Sequence, residues 1–143
     1  MVSTDVIKLR AETTIDRPAA EIWAEIGDFN SISWIPGVEK WRMEGNLRIV
    51  EREAWDFDLV QRLLEQDDER FVISYDLPEP LDFQSMIGPG AIVEVLNGWL
   101  SVTPTSETSS TVIWDVEAPE FIARGANAEY QDAIDRMKVK LEG

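Results

Sequence analysis

The sequence predicts an α+β domain in which one antiparallel sheet surrounds one long helix. Residues 121–141 carry apolar side chains at spacings of three and four, which is typical of an amphipathic helix. This stripe consists of Ala126, Tyr130, Ala133, Ile134, Met137 and Leu141. Most of the chain between residues 38 and 118 has the alternation of strands, and a helix that follows such strands must bury its stripe on their sheet. A sheet that curls around a helix can enclose a pocket.

Three elements are expected before the main run of strands. Side chains over residues 6–15 alternate between a mostly apolar face and a charged face, which predicts a half-buried strand. The Asp16-Arg17-Pro18 segment is typical of a helix start, so a helix is expected over residues 19–26. Residues 29–35 are expected to form a second short helix.

Six further strands are expected, which makes a curved sheet of about seven strands. Gly45-Asn46 is typical of a two-residue hairpin turn, and Asn97-Gly98 indicates a bulge inside a long strand. The expected strands cover residues 38–44, 47–57, 59–66, 70–77, 91–103 and 111–118. The chain is short enough for one domain, which we expect to span residues 1–143.

Residues 78–90 interrupt the strand pattern. Their prolines and glycines indicate a loop, yet the segment also carries large apolar side chains, among them Phe83 and Met86. A loop of this kind is expected either to close over a binding site as a lid or to pack over the sheet edge.

The composition excludes several kinds of chemistry. The chain has no cysteine and no histidine, which rules out disulfides, Cys/His metal sites and catalysis by Ser–His or Cys–His pairs. We expect no metal and no cofactor. The formal net charge of −15 disfavours binding to nucleic acid and to anionic membranes. No apolar stretch is long enough to insert into a membrane, and residues 1–12 lack the core of a secretory signal, so a cytoplasmic location is expected.

Four segments carry a resemblance to a known family. They are residues 14–23 (TIDRPAAEIW), 28–38 (DF followed by WIPGV), 59–75 (LVQRLLEQDDERFVISY) and 98–114 (GWLSVTPTSETSSTVIW). In order and spacing they resemble the polyketide cyclase/dehydrase and lipid-transport family of the START-like (SRPBCC) superfamily. The resemblance implies a helix-grip fold with an apolar cavity between the sheet and the C-terminal helix. It implies no particular reaction, because members carry lipids, bind hormones, cyclise polyketides or hydrolyse small molecules.

Ten side chains are candidates for lining this cavity. They are large apolar or aromatic residues, and they are Trp34, Trp41, Tyr75, Phe83, Met86, Trp99, Trp114, Phe121, Tyr130 and Met137. Each tryptophan either fills the core or lines a pocket for an aromatic or lipid-like ligand. Each tyrosine hydroxyl either orients a ligand carbonyl, donates a proton, or bonds to a backbone group or water within the core.

The expected strand over residues 47–57 is charged on both faces. If the face with Glu51 and Glu53 lines the cavity, a carboxylate with a raised pKa is expected there. If the face with Arg48 and Arg52 does, an anionic group can bind. In a third interpretation all of these charges are solvated. Gln61 stands where relatives commonly carry an acidic residue, which weakens any mechanism that needs a carboxylate at that position.

These observations favour a binding or carrier protein for a small hydrophobic or aromatic ligand. The alternative is a cyclase or dehydrase that moves protons with Tyr, Arg or carboxylate groups in the same cavity. A third hypothesis is a protein-interaction role for the acidic surface. The sequence leaves open whether the protein is an enzyme, and exposed strand edges would allow a homodimer.

Overall fold

A computed structural model describes residues 2–143 and confirms the α+β architecture. Seven strands form one antiparallel sheet in the order β1-β9-β8-β5-β4-β3-β2, and β6 pairs with β7 in a separate ribbon. The described elements are β1 (Val6–Ile15), α1 (Ala19–Ile26), β2 (Val38–Glu44), β3 (Leu47–Arg52), β4 (Leu59–Asp67), β5 (Val72–Asp76), β6 (Leu81–Asp82), β7 (Ile92–Val93), β8 (Asn97–Pro104), β9 (Ser110–Pro119) and α2 (Glu120–Glu142). In the part of the chain that the structure describes, neither helix is long and apolar enough to cross a membrane.

Helix α2 packs against β1 and β9 through the predicted stripe. Ala133, Ile134 and Met137 are buried on this side, and Tyr130 and Leu141 are partly buried against the same core. Complete burial of a side chain such as Ile134 contributes roughly 1.5–3 kcal/mol. The small side chains Ala123 and Ala133 are both buried, which lets the helix lie close to the strands.

The core has two parts. One cluster joins α1, β1 and the second half of α2, with Ile22 and Ile134 inaccessible to solvent. The other lies between the first half of α2 and the β6–β7 ribbon, with Phe83 and Ala123 among its buried residues. The second cluster contains the cavity described below.

The expected second helix at residues 29–35 is wrong, because this segment forms turns. The Asp28 carboxylate accepts a hydrogen bond from the Asn30 backbone N–H at 2.8 Å, and single backbone bonds close the turns at Ser31 and Ile35. A local side-chain acceptor of this kind competes with helix formation. Residues 2–143 therefore contain one short helix after β1, not two.

The expected strand over residues 47–57 is too long, since β3 ends at Arg52. The Trp55 N–H bonds to the Arg52 carbonyl in a turn, and the chain returns to the sheet at Leu59. Trp55 and Phe57 leave the sheet because their rings pack on Phe83.

The expected strand over residues 91–103 is two strands in the structure. Residues 92–93 pair with β6, and residues 94–96 connect them to β8. The expected bulge at Asn97-Gly98 is also wrong, because both residues pair in regular register with β9. The glycine is instead required by packing, since a Cβ on Gly98 would lie 2.1 Å from Tyr75 Cζ.

Candidate functional site

A cavity of about 230 Å³ lies between the first half of α2, strand β4 and the segment that carries the β6–β7 ribbon. Most of its lining is apolar and comprises Trp55, Leu59, Phe83, Met86, Ile87, Leu96, Phe121, Ile122 and Ala126. Four polar side chains, those of Arg52, Gln61, Glu129 and Tyr130, also reach it. An apolar lining with a few polar groups is typical of sites for small molecules.

One wall of the cavity is a cluster of aromatic rings around Phe83. The rings of Trp55 and Phe57 meet Phe83 edge to face, with centroids 4.9 and 5.0 Å away. Phe121 at the start of α2 meets it at 6.4 Å. These edge-to-face contacts connect the loop after β3, the ribbon and the helix.

A smaller chamber of about 40 Å³ adjoins the cavity on the side of the sheet. The two hollows share Arg52, Leu59, Gln61 and Tyr130 as lining residues. We call the smaller one the inner chamber. A hollow needs roughly 10–15 Å³ of this kind of volume to hold one water molecule, so the inner chamber has room for one small polar group of a few atoms.

Arg48 on β3 lies at the back of the inner chamber and is only 5% exposed. Its Nε and Nη2 donate to Gln61 Oε1 at 3.1 and 2.6 Å, and its Nη1 donates to the Phe29 carbonyl at 2.8 Å. Its guanidinium also lies 3.8 Å from the centroid of the Phe29 ring. Burial lowers the pKa of Arg48 to about 10, so the side chain still carries its charge at neutral pH.

Two tyrosines form the other side of the inner chamber. Tyr75 Oη and Tyr130 Oη lie 2.8 Å apart, and Trp114 Nε1 donates to Tyr75 Oη at 3.1 Å. The rings of Trp114 and Tyr130 stack at 3.8 Å with an interplanar angle of 5°. Burial raises the pKa of Tyr75, and burial together with Tyr75 raises that of Tyr130 further, so both hydroxyls remain protonated.

An ion pair stands at the edge of the cavity. Arg52 Nη2 on β3 lies 2.7 Å from Glu129 Oε2 on α2, and 53% of the Glu129 side chain is exposed. The Arg52 guanidinium also lies 5.3 Å from the centroid of the Trp55 ring. The pair therefore spans the space between sheet and helix beside the aromatic wall.

The structure resolves which face of β3 is turned inward. Arg48, Val50 and Arg52 line the inner chamber, whereas Glu51 and Glu53 do not belong to its lining. Among the described residues that line the inner chamber, none is Asp or Glu. The chamber thus presents hydrogen-bond donors and a positive charge, without a carboxylate base.

Seven of the ten candidate side chains lie at these two hollows or behind them. Phe83, Met86, Phe121 and Tyr130 line the cavity, and Tyr75, Trp114 and again Tyr130 line the inner chamber. Trp34 lies behind the chamber, with its ring 5.4 Å from that of Trp114 and its indole N–H buried without a hydrogen-bond partner among the described residues.

The structure places the other three candidates elsewhere. Trp99 is on the outer face of β8, where the Lys8 ammonium lies 4.8 Å from its ring, because the inward positions of this strand are Gly98, Leu100 and Val102. Trp41 packs on the loop after α1 and donates its indole N–H to the Asn30 carbonyl at 2.9 Å. Met137 is buried in the first core cluster.

Several lining residues were not among the ten candidates for lining the cavity. Gln61 had a detectable signal, since it is a polar residue on the buried face of a strand whose inward neighbour is Leu59. Ala126 also had one, since it belongs to the predicted apolar stripe of the long helix. Leu96, Ile122 and Glu129 gave none, because their role depends on where α2 crosses the ribbon.

A larger hollow of about 770 Å³ lies on the outside, beside Phe57 and Pro78–Ser85. Most of its lining is exposed and includes the carboxylates of Asp56, Asp58, Glu79 and Asp82. An exposed acidic groove offers little apolar surface to a small molecule, so the pair of hollows with the largely apolar lining is the better candidate for the functional site.

Comparison with known proteins agrees with the observed fold. A sequence model for the family described as polyketide cyclase/dehydrase and lipid transport matches residues 6–142. No curated protein matches the sequence.

Solved structures show the same fold at low sequence identity. An uncharacterized protein from Bacillus thuringiensis has a TM-score of 0.76 and 19% identity, with 96% of this chain and 100% of that chain covered. Protein XoxI from Bacillus cereus has a TM-score of 0.74 and 20% identity, with 95% and 98% covered. Norcoclaurine synthase from Thalictrum flavum, solved with dopamine and hydroxybenzaldehyde, has a TM-score of 0.67 and 17% identity, with 96% and 89% covered.

Proposed function

The chain belongs to the polyketide cyclase/dehydrase and lipid transport family, and from that premise we propose that it binds and carries a small hydrophobic or aromatic molecule. The observation that supports this most directly is the cavity of about 230 Å³ with its aromatic wall. Binding of such a ligand would be driven by removal of its apolar surface from water.

The volume limits the size of the ligand. An engineered apolar cavity of about 150 Å³ holds benzene, so a cavity of this size suits a molecule of about one or two rings. The structurally similar norcoclaurine synthase was solved with two aromatic compounds, which is compatible with this size class. A larger ligand would require Met86 and Ile87 to move, and both are exposed at the edge of the cavity.

The site favours binding over catalysis because its inner chamber lacks a base. Tyr75 and Tyr130 stay protonated, and Arg48 stays charged, so these groups can orient a ligand but cannot remove a proton from it. Glu129 is the carboxylate at the cavity, and it is paired with Arg52.

The alternative function is a cyclase or dehydrase. The observation that favours it is the convergence of the Tyr75 and Tyr130 hydroxyls with the Arg48 charge, since a protonated phenol beside a cation can stabilise a developing enolate. If the protein is such an enzyme, Tyr130→Phe should lower turnover at unchanged ligand affinity. A carrier should show no turnover, so Tyr130→Phe should not lower an activity while it leaves ligand affinity unchanged.

The test uses the six tryptophans as reporters of position. In ¹H–¹⁵N spectra, titration with 2-methylnaphthalene should shift the indole N–H signal of Trp55 at the cavity and leave that of Trp99 on the outer face unchanged. Native mass spectrometry of the purified protein should in addition reveal any ligand that is retained and identify its chemical class.

A pair of variants provides the control. Ala126 lines the cavity and Ala128 on the same helix is exposed, so Ala126→Phe should weaken binding of 2-methylnaphthalene while Ala128→Phe should not. Failure of the Trp55 signal to respond, together with a protein mass free of ligand, would contradict the proposed function.

A further inference from the structure

The inner chamber contains more hydrogen-bond donors than acceptors. Gln61 Oε1 accepts two bonds from Arg48, which leaves the NH2 group of the same side chain available to a ligand. Tyr130, whose hydroxyl lies 2.8 Å from Tyr75 Oη, lines both hollows. Such a set of groups is complementary to an acceptor, not to another donor.

The chamber also contains the positive charge of Arg48, which forms no ion pair with a carboxylate among residues 2–143. The partners of Arg48 are the neutral oxygens of Gln61 and Phe29, and Tyr75 and Tyr130 are protonated. Burying a charged group without an opposite charge is unfavourable, and an anion that enters the chamber would relieve this cost. Because Gln61 is neutral, it does not pair with Arg48 as an acidic residue at this position would, and the positive charge stays available to a ligand.

The two hollows differ in size and would hold different parts of one ligand. The inner chamber of about 40 Å³ accepts one small polar group, and the adjoining cavity of about 230 Å³ accepts the apolar remainder. Because the two hollows share Gln61 and Tyr130, a polar group attached directly to a ring would reach these donors while the ring contacts the aromatic wall.

We propose that the ligand is an aromatic or alicyclic carboxylic acid, bound with its carboxylate at Arg48, Gln61 and Tyr130 and with its ring in the cavity. This inference rests on the proposed function, to which it adds the chemical class of the ligand. Charge-assisted hydrogen bonds from the guanidinium, amide and phenol groups would hold the carboxylate.

The overall charge of −15 acts against an anionic ligand, but at a longer range. At physiological ionic strength such repulsion is screened over about 8 Å, so it lowers the association rate more than the affinity of the bound state. Contacts within the chamber act at hydrogen-bond distance and are screened much less, so they decide whether a carboxylate binds more tightly than a neutral group of the same shape.

The test compares 2-naphthoate with its neutral isostere 2-naphthamide by isothermal titration calorimetry at pH 7. The carboxylate should bind at least about tenfold more tightly, which corresponds to about 1.4 kcal/mol. It should also shift the indole signal of Trp114, which lines the inner chamber. Equal affinity for the two compounds would overturn this inference.

Two variants identify the group responsible. Gln61→Glu places a carboxylate against Arg48 and should abolish the preference for 2-naphthoate while binding of 2-methylnaphthalene persists. Asn46→Asp adds the same charge at the exposed hairpin turn and should leave the preference intact. If the first variant does not fold, the comparison of the two probes on the unmodified protein still decides the question.

The outcomes separate this inference from the proposed function. If 2-methylnaphthalene binds and the carboxylate gains nothing over the amide, the cavity binds apolar ligands and the inference is wrong. If none of the three compounds binds, both the proposed function and the inference fail. A carboxylate preference that persists in Gln61→Glu would also overturn the inference, because it would place the anion elsewhere.

Discussion

Tyr75 Oη and Tyr130 Oη lie 2.8 Å apart and join the middle strand of the sheet to the long helix. Trp114 on β9 completes the contact, since its indole donates to Tyr75 and its ring stacks on Tyr130. Tyr75 and Trp114 belong to the first core cluster, and Tyr130 packs against both clusters, so this group connects the first cluster to the half of the molecule that contains the cavity. The position of α2 over the sheet is therefore fixed by directional contacts as well as by apolar burial.

The two tyrosines should differ in their effect on stability. Tyr75→Phe removes the acceptor of the Trp114 N–H and the partner of the Tyr130 hydroxyl, so the free energy of unfolding should fall by about 1–3 kcal/mol. Tyr130→Phe leaves the Trp114–Tyr75 bond intact and should cost about 0.5–1.5 kcal/mol. Urea unfolding of both variants measures the difference, and an equal or reversed order would contradict this assignment.

Two glycines should respond in opposite directions to the same substitution. A Cβ on Gly98 would lie 2.1 Å from Tyr75 Cζ, so Gly98→Ala must displace a buried ring and should destabilise the fold by roughly 1–3 kcal/mol. Gly125 lies inside α2 with no atom within 4 Å of such a Cβ, so Gly125→Ala should stabilise the protein by about 0.5–1 kcal/mol. Thermal unfolding of the two variants tests both expectations, and a melting temperature of Gly125→Ala below that of the parent would contradict the expected stabilisation.

Most of the fold could be predicted because its elements have a clear periodicity. The bounds of β1, α1 and β2 agree with the expected ranges, and α2 differs by one residue at each end. The expected helix at residues 29–35 failed for a local reason, the Asp28–Asn30 hydrogen bond, whereas the two overlong strands failed where contacts distant in sequence decide the structure. Residues 53–57 leave the sheet to pack on Phe83, and residues 92–93 pair with β6 instead of extending β8.

The site was less predictable than the fold. The alternation of β8 contained enough information to place Trp99 outside, since Leu100 and Val102 occupy the other face. The inward face of β3 could not be predicted, because both faces carry charges. Burial of Arg48 depends on Gln61 and the Phe29 carbonyl, which the sequence does not reveal as neighbours.

The Arg52–Glu129 ion pair should matter more for ligand exchange than for stability. Glu129 is largely exposed, so Glu129→Gln should change the free energy of unfolding by less than about 1 kcal/mol. Because the pair spans the edge of the proposed binding cavity, the same variant should speed the release of bound 2-methylnaphthalene, measured by exchange broadening of the Trp55 indole signal. Asp132→Asn breaks an ion pair with Arg136 on the same helix and serves as the matched control. Equal exchange rates in the two variants would show that the pair does not restrict access.

Asp68 should make stability depend on pH in the acid range. Its carboxylate accepts hydrogen bonds from Trp23 Nε1 at 2.9 Å and from Gln66 Nε2 at 2.6 Å, and these bonds lower the pKa of Asp68 below its ordinary value of 3.8. Because the pKa is lower in the folded than in the unfolded state, the ionised carboxylate stabilises the fold above 3.8, and this contribution is lost as the pH falls through the folded value.

Asp68→Asn should therefore flatten the decline in stability on acidification. Urea unfolding of the parent and the variant, followed from about pH 5 down to about pH 2, compares the two slopes directly. Trp23→Phe removes the main donor and should raise the pKa of Asp68 toward its ordinary value, which a carboxyl ¹³C titration detects even if this variant is less stable overall. Parallel stability profiles for the parent and Asp68→Asn would mean that the indole–carboxylate bond between α1 and the turn after β4 does not contribute to the acid sensitivity of the fold.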